Sequence, residues 1–179
     1  MTLHARLQEL SDYLSASRDV LRRAVDAVPV DQRHERPSAT DWSAAEVLEH
    51  LAIVENRIAG VVAAVAAEER TAGQEVEASS VLEPARLDRL ADRTQKRTAS
   101  QASQPTGSVH AEEAWSRLVQ SRKSLATAID GVNGLALGEI VRPHPALGPV
   151  NIYQWISFVG AHERRHAAQI EEIARRLSV

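Results

Sequence analysis

Apolar residues recur every three or four positions along four long stretches of the chain, the spacing of one face of an α-helix. The stretches span residues 2–28, a segment that begins at Ser43, residues 111–132 and a segment that follows Asn151. No pattern typical of a β-strand is visible between them. The sequence therefore predicts an all-α fold, a four-helix bundle, with residues 1–179 as one domain.

Two of the predicted helices carry clear signals for their first turn. Ser43 is followed three residues later by Glu46, and Asn151 is followed by Gln154. This spacing is that of a capping box, in which each side chain accepts a hydrogen bond from the other residue's backbone N–H. We therefore expect the second and fourth helices to begin at fixed positions.

The long connection between the second and third helices has little periodicity. An exposed loop is predicted after Glu68, a short extra helix at Pro84 with Leu87 and Leu90 on its apolar face, and a flexible connector over residues 99–110. Residues 133–150 are rich in proline and glycine and are predicted to form turns.

Composition excludes several classes of function. The chain has no cysteine, so a disulfide, a thiolate ligand and a cysteine nucleophile are all excluded. Its formal net charge is -3, and no segment concentrates Lys and Arg, so nucleic acid is not an expected partner. The N-terminal residues lack the apolar core of a signal peptide, and no window approaches a membrane span. We expect a cytoplasmic protein that does not bind membranes.

Three histidines lie on or beside the predicted buried faces. His162 and His166 are one helical turn apart, and His50 lies about two turns into the second helix. In a bundle, facing helices can direct such side chains towards one point. Three neutral imidazoles on a divalent ion leave a position for water or substrate, as in catalytic sites. The pattern predicts a metal site made by His50, His162 and His166.

Other metal sites fit the same residues less well. The spelling H-E-x-x-H would make Glu163 the general base of a zincin protease, but Gln169 and Glu172 replace the Gly and His of the metzincin extension. A di-iron site needs a second E-x-x-H helix, and Glu163 lies off the histidine stripe, which predicts a peripheral position. A third alternative is that the three histidines are core residues that bind no metal.

The helical pattern leaves the positions of several further polar residues open. His144, between two prolines, is predicted to be a loop histidine, although it could lie at the mouth of the site. On the third helix we favour Ser121 facing inward, because an unpaired buried guanidinium is costly; an inward Arg122 could instead bind an anionic substrate group. The remaining histidines are expected in solvent, and four polar side chains are candidate partners of the imidazole N–H groups but are individually expected on solvated helix faces. These are His4, His34 and His110, and Glu46, Glu55, Glu163 and Gln169.

Three motifs together resemble one known family. They are W-S-x-x-E-x-x-x-H-L at residues 42–51, H-P-x-L-G-P at 144–149 and H-x-x-x-H-x-x-Q-I at 162–170. Their order and separation are similar to those of the DinB/YfiT-like superfamily of bacterial four-helix-bundle metalloproteins. The resemblance covers residues 3–177 and implies His50, His162 and His166 as ligands of a divalent ion, zinc or nickel above all, and often a homodimer.

The resemblance also implies an activity on small molecules. Characterised relatives include thiol transferases that use bacillithiol and isomerases that use mycothiol, and other relatives are described as metal-dependent hydrolases. We therefore expect a metal-dependent enzyme that transfers a low-molecular-weight thiol cosubstrate to an electrophilic small-molecule substrate. The alternatives are a hydrolase that activates water, and a non-catalytic metal-binding module of a stress response.

Overall fold

The structure of the protein is a computed structural model that describes residues 2–68, 73–94 and 97–178. Its helices are α1 (Ala5–Asp26), α2 (Ala44–Glu68), α3 (Pro84–Ala91), α4 (Ala111–Gly131) and α5 (Ile152–Leu177), with short 3₁₀ turns at Val30–Gln32 and Gln101–Ser103 and two strands, β1 (Val141–His144) and β2 (Gly148–Asn151).

The predicted four-helix bundle is confirmed. The long helix α2 packs along α4, and α1 packs along α5. The short extra helix predicted at Pro84 is α3, which packs on α5. Both capping boxes are present: the Glu46 backbone N–H donates to Ser43 Oγ at 3.2 Å, and the Gln154 N–H donates to Asn151 Oδ1 at 2.9 Å. These boxes fix where the two histidine-bearing helices begin.

The prediction that no strand is present was wrong. Strands β1 and β2 form an antiparallel hairpin in which Val141 pairs with Asn151 and His144 pairs with Gly148. Each strand has only four residues, and Pro143 faces Pro149. Proline has no backbone N–H to donate and is therefore found mainly in edge strands. Both strands of a two-stranded hairpin are edge strands, so a short hairpin can have the composition of a turn. The hairpin leads directly into α5.

Two clusters of buried apolar side chains fill the bundle, one towards each end. On α1 the first cluster contains Leu7 to Leu14, and the second contains Leu21 to Val25. The other long helices divide between the clusters in the same way. Polar side chains occupy the level between them, and these polar side chains include the candidate site.

The connection between α2 and α4 is anchored where the structure describes it. Part of the exposed loop predicted after Glu68, residues 69–72, lies outside the described residues. Beyond that part, the Glu75 side chain is only 5% exposed, forms an ion pair with Arg6 and accepts a hydrogen bond from Tyr153 Oη at 2.6 Å. Residues 101–107 lie against α2 through several hydrogen bonds. The second half of the connection is therefore not the free linker that its composition indicates.

Helix α2 is long and apolar enough, by length and composition alone, to cross a membrane. The expectation that no window approaches a membrane span was therefore too broad. The helix forms part of the bundle core, and its buried residues include three glutamates and a histidine. A core helix with these contacts passes the same test and does not indicate a membrane protein.

Candidate metal centre

The three predicted histidines meet between α2 and α5. His162 and His166 lie one turn apart on α5, and His50 reaches them from α2. The Nε2 atom of His162 lies 3.3 Å from Nε2 of His50 and 3.1 Å from Nε2 of His166. The three ligand atoms all lie within 4.8 Å of one another, so one ion could contact all three.

Hydrogen bonds at the far side of two rings set their tautomers. The Nδ1 atom of His50 lies 2.6 Å from the backbone oxygen of Ser103, which can only accept, so Nδ1–H donates. The Nδ1 atom of His166 donates in the same way to Gln169 Oε1 at 2.8 Å. Arg93 Nη1 donates to that same oxygen at 3.2 Å, which identifies it as the acceptor end of the amide. Neutral His50 and His166 therefore present Nε2 lone pairs to the cluster.

The environment keeps the three imidazoles neutral. Burial, opposed by the Ser103 carbonyl, lowers the pKa of His50. Burial and the neighbouring His50 lower the pKa of His166 to about 3. Burial, His166 and His50 together lower the pKa of His162 well below its usual value. Only the neutral form of imidazole can bind a metal, so the site is ready to bind one at neutral pH.

The arrangement fits a divalent cation. Without a cation, a single proton on His162 Nε2 can bond to the Nε2 lone pair of either His50 or His166, but not to both. The other buried lone pair then lacks a hydrogen-bond donor. Three nitrogens bound about 2.0–2.1 Å from a tetrahedral ion are separated by about 3.3 Å. The observed separations of 3.1 and 3.3 Å agree with that value. The described residues place no carboxylate among the three nitrogens.

Aromatic side chains surround the cluster. The Trp42 ring centre is 5.1 Å from that of His50, and Phe158 stacks on His162 at 5.1 Å. His144 packs against Phe158 at 4.5 Å and against Trp155 at 4.4 Å. These rings form an apolar wall beside the cluster.

His144 is more than a loop histidine. It lies on β1 with only 7% of its surface exposed, and its Nδ1 accepts from the Ala146 N–H at 3.1 Å. Burial and the charge of Arg86 lower its pKa to about 4. A neutral His144 with this acceptor carries its proton on Nε2. It is separated from the cluster by the ring of Phe158.

The sequence predicted a peripheral position for Glu163, and this prediction was wrong, because only 1% of its surface is exposed. Its two carboxylate oxygens accept from Arg18 Nε at 2.6 Å and Arg122 Nη2 at 3.0 Å. Glu55, only 2% exposed, contacts the same two guanidinium groups. We call this set of four residues, one from each long helix, the ionic cluster. The carboxylates of Glu163 and Glu55 overcome the effect of burial and raise the pKa of Arg122.

Ser121 faces inward, as predicted, and donates to Glu55 at 2.7 Å. Arg122 also reaches inward because its long side chain extends to the two carboxylates. Its alternative role, binding an anionic substrate group, is therefore replaced by an internal ion pair. The cost of burial that favoured Ser121 applies to an unpaired guanidinium, whereas Arg122 is paired with carboxylates on α2 and α5.

The candidate partners of the imidazoles had mixed outcomes. Gln169 does contact a ligand histidine, His166. Glu46, Glu55 and Glu163 are buried rather than solvated, and none of the hydrogen bonds found for them involves a histidine. The partner of His50, the carbonyl of Ser103, was missed because a backbone oxygen carries no side-chain signal. Of the other histidines, His34 and His110 are exposed as expected, whereas His4 is half-buried and caps α1.

Comparisons with known proteins agree with this architecture. Uncharacterized protein YuaE from Bacillus subtilis (strain 168) is 29% identical over 148 residues, which cover 82% of this chain and 86% of that protein. A solved structure titled as that of TT2238, a four-helix bundle protein, superposes with a TM-score of 0.58 over 93% of this chain and 98% of its own. At 21% identity, that likeness shows the fold.

The family resemblance of the three motifs is confirmed by a family model. The model described as the DinB superfamily matches residues 13–170, a range that includes His50, His162 and His166. The chain therefore belongs to the DinB superfamily.

Proposed function

We propose that the protein is a metal-dependent enzyme that transfers a low-molecular-weight thiol to an electrophilic small molecule, with a divalent ion, zinc or nickel, held by His50, His162 and His166. The observation that carries this proposal is the convergence of three neutral Nε2 atoms on one point. Membership of a metal-binding superfamily supports it. Three protein ligands with a position left for substrate are typical of catalytic sites.

The chain's own residues prepare this site. The Ser103 carbonyl and Gln169 hold two imidazole rings in orientation, and burial keeps the rings deprotonated. Trp42 and Phe158 place apolar rings against His50 and His162. A bound divalent ion supplies Lewis acidity, which lowers the pKa of a thiol and favours its thiolate. The thiolate sulfur then bonds to the electrophilic carbon, the leaving group departs with its electron pair, and the thiol proton passes to solvent.

The acidic residues around the site favour thiol transfer over hydrolysis. Helices α2 and α5 contain four buried carboxylates, and every one is engaged. Glu46 pairs with Arg36, Glu49 accepts from Thr106, and Glu55 and Glu163 belong to the ionic cluster. A metal-bound water would therefore find no free general base among these four carboxylates and would depend on the ion alone to lower its pKa, whereas a thiolate is itself the nucleophile. The chain has no cysteine, so the thiol comes from a cosubstrate.

The test is a thiol-transfer assay on protein of known metal content. Bacillithiol, mycothiol and glutathione are each combined with monochlorobimane, with and without a chelator. We expect a rate with at least one thiol that the chelator abolishes and added metal restores. The variant His162→Ala should lack this rate, and His34→Ala, which changes an exposed histidine outside the site, should keep it.

Two results would contradict the proposal. Metal-dependent ester or amide hydrolysis without thiol transfer would favour the hydrolase alternative. A metal-loaded protein that accelerates neither reaction would favour a non-catalytic metal-binding role. Elemental analysis of the same samples identifies the metal.

A further inference from the structure

Three polar residues of α2 hold the segment of residues 101–107 against the helix. Arg57 Nη2 donates to the backbone oxygen of Ala102, and His50 Nδ1 donates to that of Ser103 at 2.6 Å. Further along the segment, Thr106 is bound to Glu49. The segment therefore lies beside the turn of α2 that carries the candidate ligand His50.

Glu49 accepts the largest number of hydrogen bonds among these attachments. Only 2% of its surface is exposed, and its carboxylate accepts from Thr106 Oγ1 at 2.8 Å, from Thr106 N–H at 3.0 Å and from Gly107 N–H at 3.4 Å. Hydrogen bonds to a charged acceptor are roughly twice as strong as neutral ones. Gly107 has a φ of +74°, and a Cβ there would lie 3.1 Å from Glu46 Oε1, so the chain fits closely at this point.

The other side of Ser103 is also fixed. The Ser103 N–H donates to the Ser100 oxygen at 2.9 Å, and the two serine hydroxyls lie 2.9 Å apart. The Ser103 carbonyl is thus positioned between a 3₁₀ turn on one side and the Glu49 attachment on the other. This carbonyl determines which nitrogen of His50 carries the proton. If it moved away, the proton could occupy Nε2, the atom that faces the other two histidines.

We propose that Glu49 is a positioning residue for the metal centre: it holds residues 101–107 so that the Ser103 carbonyl keeps the proton of His50 on Nδ1 and its Nε2 lone pair free. The effect on metal affinity rests on the proposed metal site. The effect on the His50 tautomer does not. Partners of ligand histidines typically contribute a factor of 10–100 to metal affinity.

Glu49→Ala is the primary test, and the chain offers a matched control in Glu9. The Glu9 carboxylate also binds a loop through one hydroxyl and one backbone N–H, those of Ser80 at 2.6 Å and Val81 at 2.9 Å. That loop contains no histidine. The ¹⁵N chemical shifts of His50 in metal-free protein report its tautomer, and competition with a chelating dye measures the affinity for zinc.

We expect wild-type protein and Glu9→Ala to show His50 protonated on Nδ1. Glu49→Ala should show a mixture of tautomers and bind zinc about 10–100-fold more weakly. Glu49→Gln retains an acceptor oxygen and should fall between these values. Thr106→Val removes the hydroxyl contact from the other side and should shift both measurements in the same direction, which keeps the test available where Glu49→Ala does not fold.

Unchanged tautomer and zinc affinity in Glu49→Ala would overturn the proposal, as would equal losses in Glu9→Ala. Wild-type protein that binds neither zinc nor nickel would contradict the proposed function and the affinity part of this proposal. In that case the ¹⁵N shifts of the same variants still decide whether Glu49 controls the His50 tautomer.

Discussion

Two polar clusters lie close together between the helices, and they are satisfied in different ways. In the ionic cluster, Glu55 and Glu163 each contact both Arg18 and Arg122, so two negative charges meet two positive ones. In the histidine cluster the Nε2 atoms face mainly one another. The same turn of α5 supplies both clusters, because Glu163 lies between the two histidines of that helix in sequence.

The difference indicates what each cluster does. Buried polar groups need partners, and a group without one costs about 1–3 kcal/mol or more. The ionic cluster finds all its partners within the chain, and we interpret it as a device that fixes how the four long helices face one another. A cation bound to the three Nε2 atoms would complete the histidine cluster. Substitutions in the histidine cluster should therefore change metal affinity, and substitutions in the ionic cluster should change the free energy of unfolding.

The largest expected effect is on metal affinity. His162→Ala removes the nitrogen that lies nearest to both other ligands, at 3.1 and 3.3 Å. Its affinity for zinc, measured by competition with a chelating dye, should fall by more than the roughly 100-fold that loss of an outer partner can cost. Affinity within a factor of three of wild type would show that this histidine is not a ligand.

The ionic cluster should respond to single substitutions without any dependence on metal. Glu163→Ala leaves Arg18 and Arg122 facing Glu55 alone, and removing one member of a buried ionic set costs about 3–5 kcal/mol. Urea unfolding in the presence of a chelator measures this loss. A loss below about 1 kcal/mol would show that the guanidinium groups reach solvent without cost.

A matched replacement separates the loss of a partner from the loss of the whole cluster. Replacing Arg18 and Arg122 by Met and Glu55 and Glu163 by Leu leaves no uncompensated charge. Such apolar replacements are often neutral or stabilising. We expect this fourfold variant to be more stable than Glu163→Ala.

Acid should destabilise the protein through its buried histidines. The pKa of His144 is about 4 in the folded protein and near 6.5 in the unfolded chain, so only the unfolded chain takes up this proton between those pH values. The stabilising contribution is therefore complete above pH 6.5 and is lost as the pH falls towards 4. Between pH 7 and 5 this amounts to about 2 kcal/mol.

His144→Gln is the control for this pH dependence, because it keeps an acceptor near the Ala146 N–H but does not titrate. Urea unfolding of metal-free protein at several pH values should give a shallower pH dependence in the variant. Identical slopes in both proteins would show that His144 takes up its proton as readily in the folded protein as in the unfolded chain. Arg122, whose pKa is raised, does not titrate in this range.

The smallest expected effect comes from Arg122→Lys. Lysine retains the positive charge but loses the fork of donors that reaches Glu55, Glu163 and the Leu14 carbonyl together. We expect a loss of about 1 kcal/mol in the free energy of unfolding, measured by urea denaturation, and unchanged zinc affinity. A change in zinc affinity would show that the two clusters are coupled.

Local patterns in the sequence account for most of the fold. The helices follow from apolar spacing, and the capping boxes at Ser43 and Asn151 locate the helices that bring the three histidines together. The β-hairpin was missed because each strand has only four residues and contains a proline, a composition typical of turns. Apolar periodicity alone predicts which face of each helix is buried, but not which residues of other elements pack against that face.

The rest of the site depends on contacts between distant residues. Glu163 borders the apolar stripe, and its burial follows from Arg18 and Arg122, which are 145 and 41 residues away in sequence. The partner of His50 is a backbone oxygen 53 residues away, in a segment whose composition is that of a linker. Such pairings are fixed by the packing of the whole bundle, so no local sequence pattern predicts them.

The most direct test of the central claim is the metal content of the protein measured with its thermal unfolding. After incubation with zinc or nickel and gel filtration, elemental analysis should find about one ion per chain, and unfolding should shift upward by an amount that follows the free metal concentration. His162→Ala should hold none and show no shift. An empty wild-type protein with an unchanged unfolding temperature, or full occupancy in His162→Ala, would contradict a three-histidine metal centre.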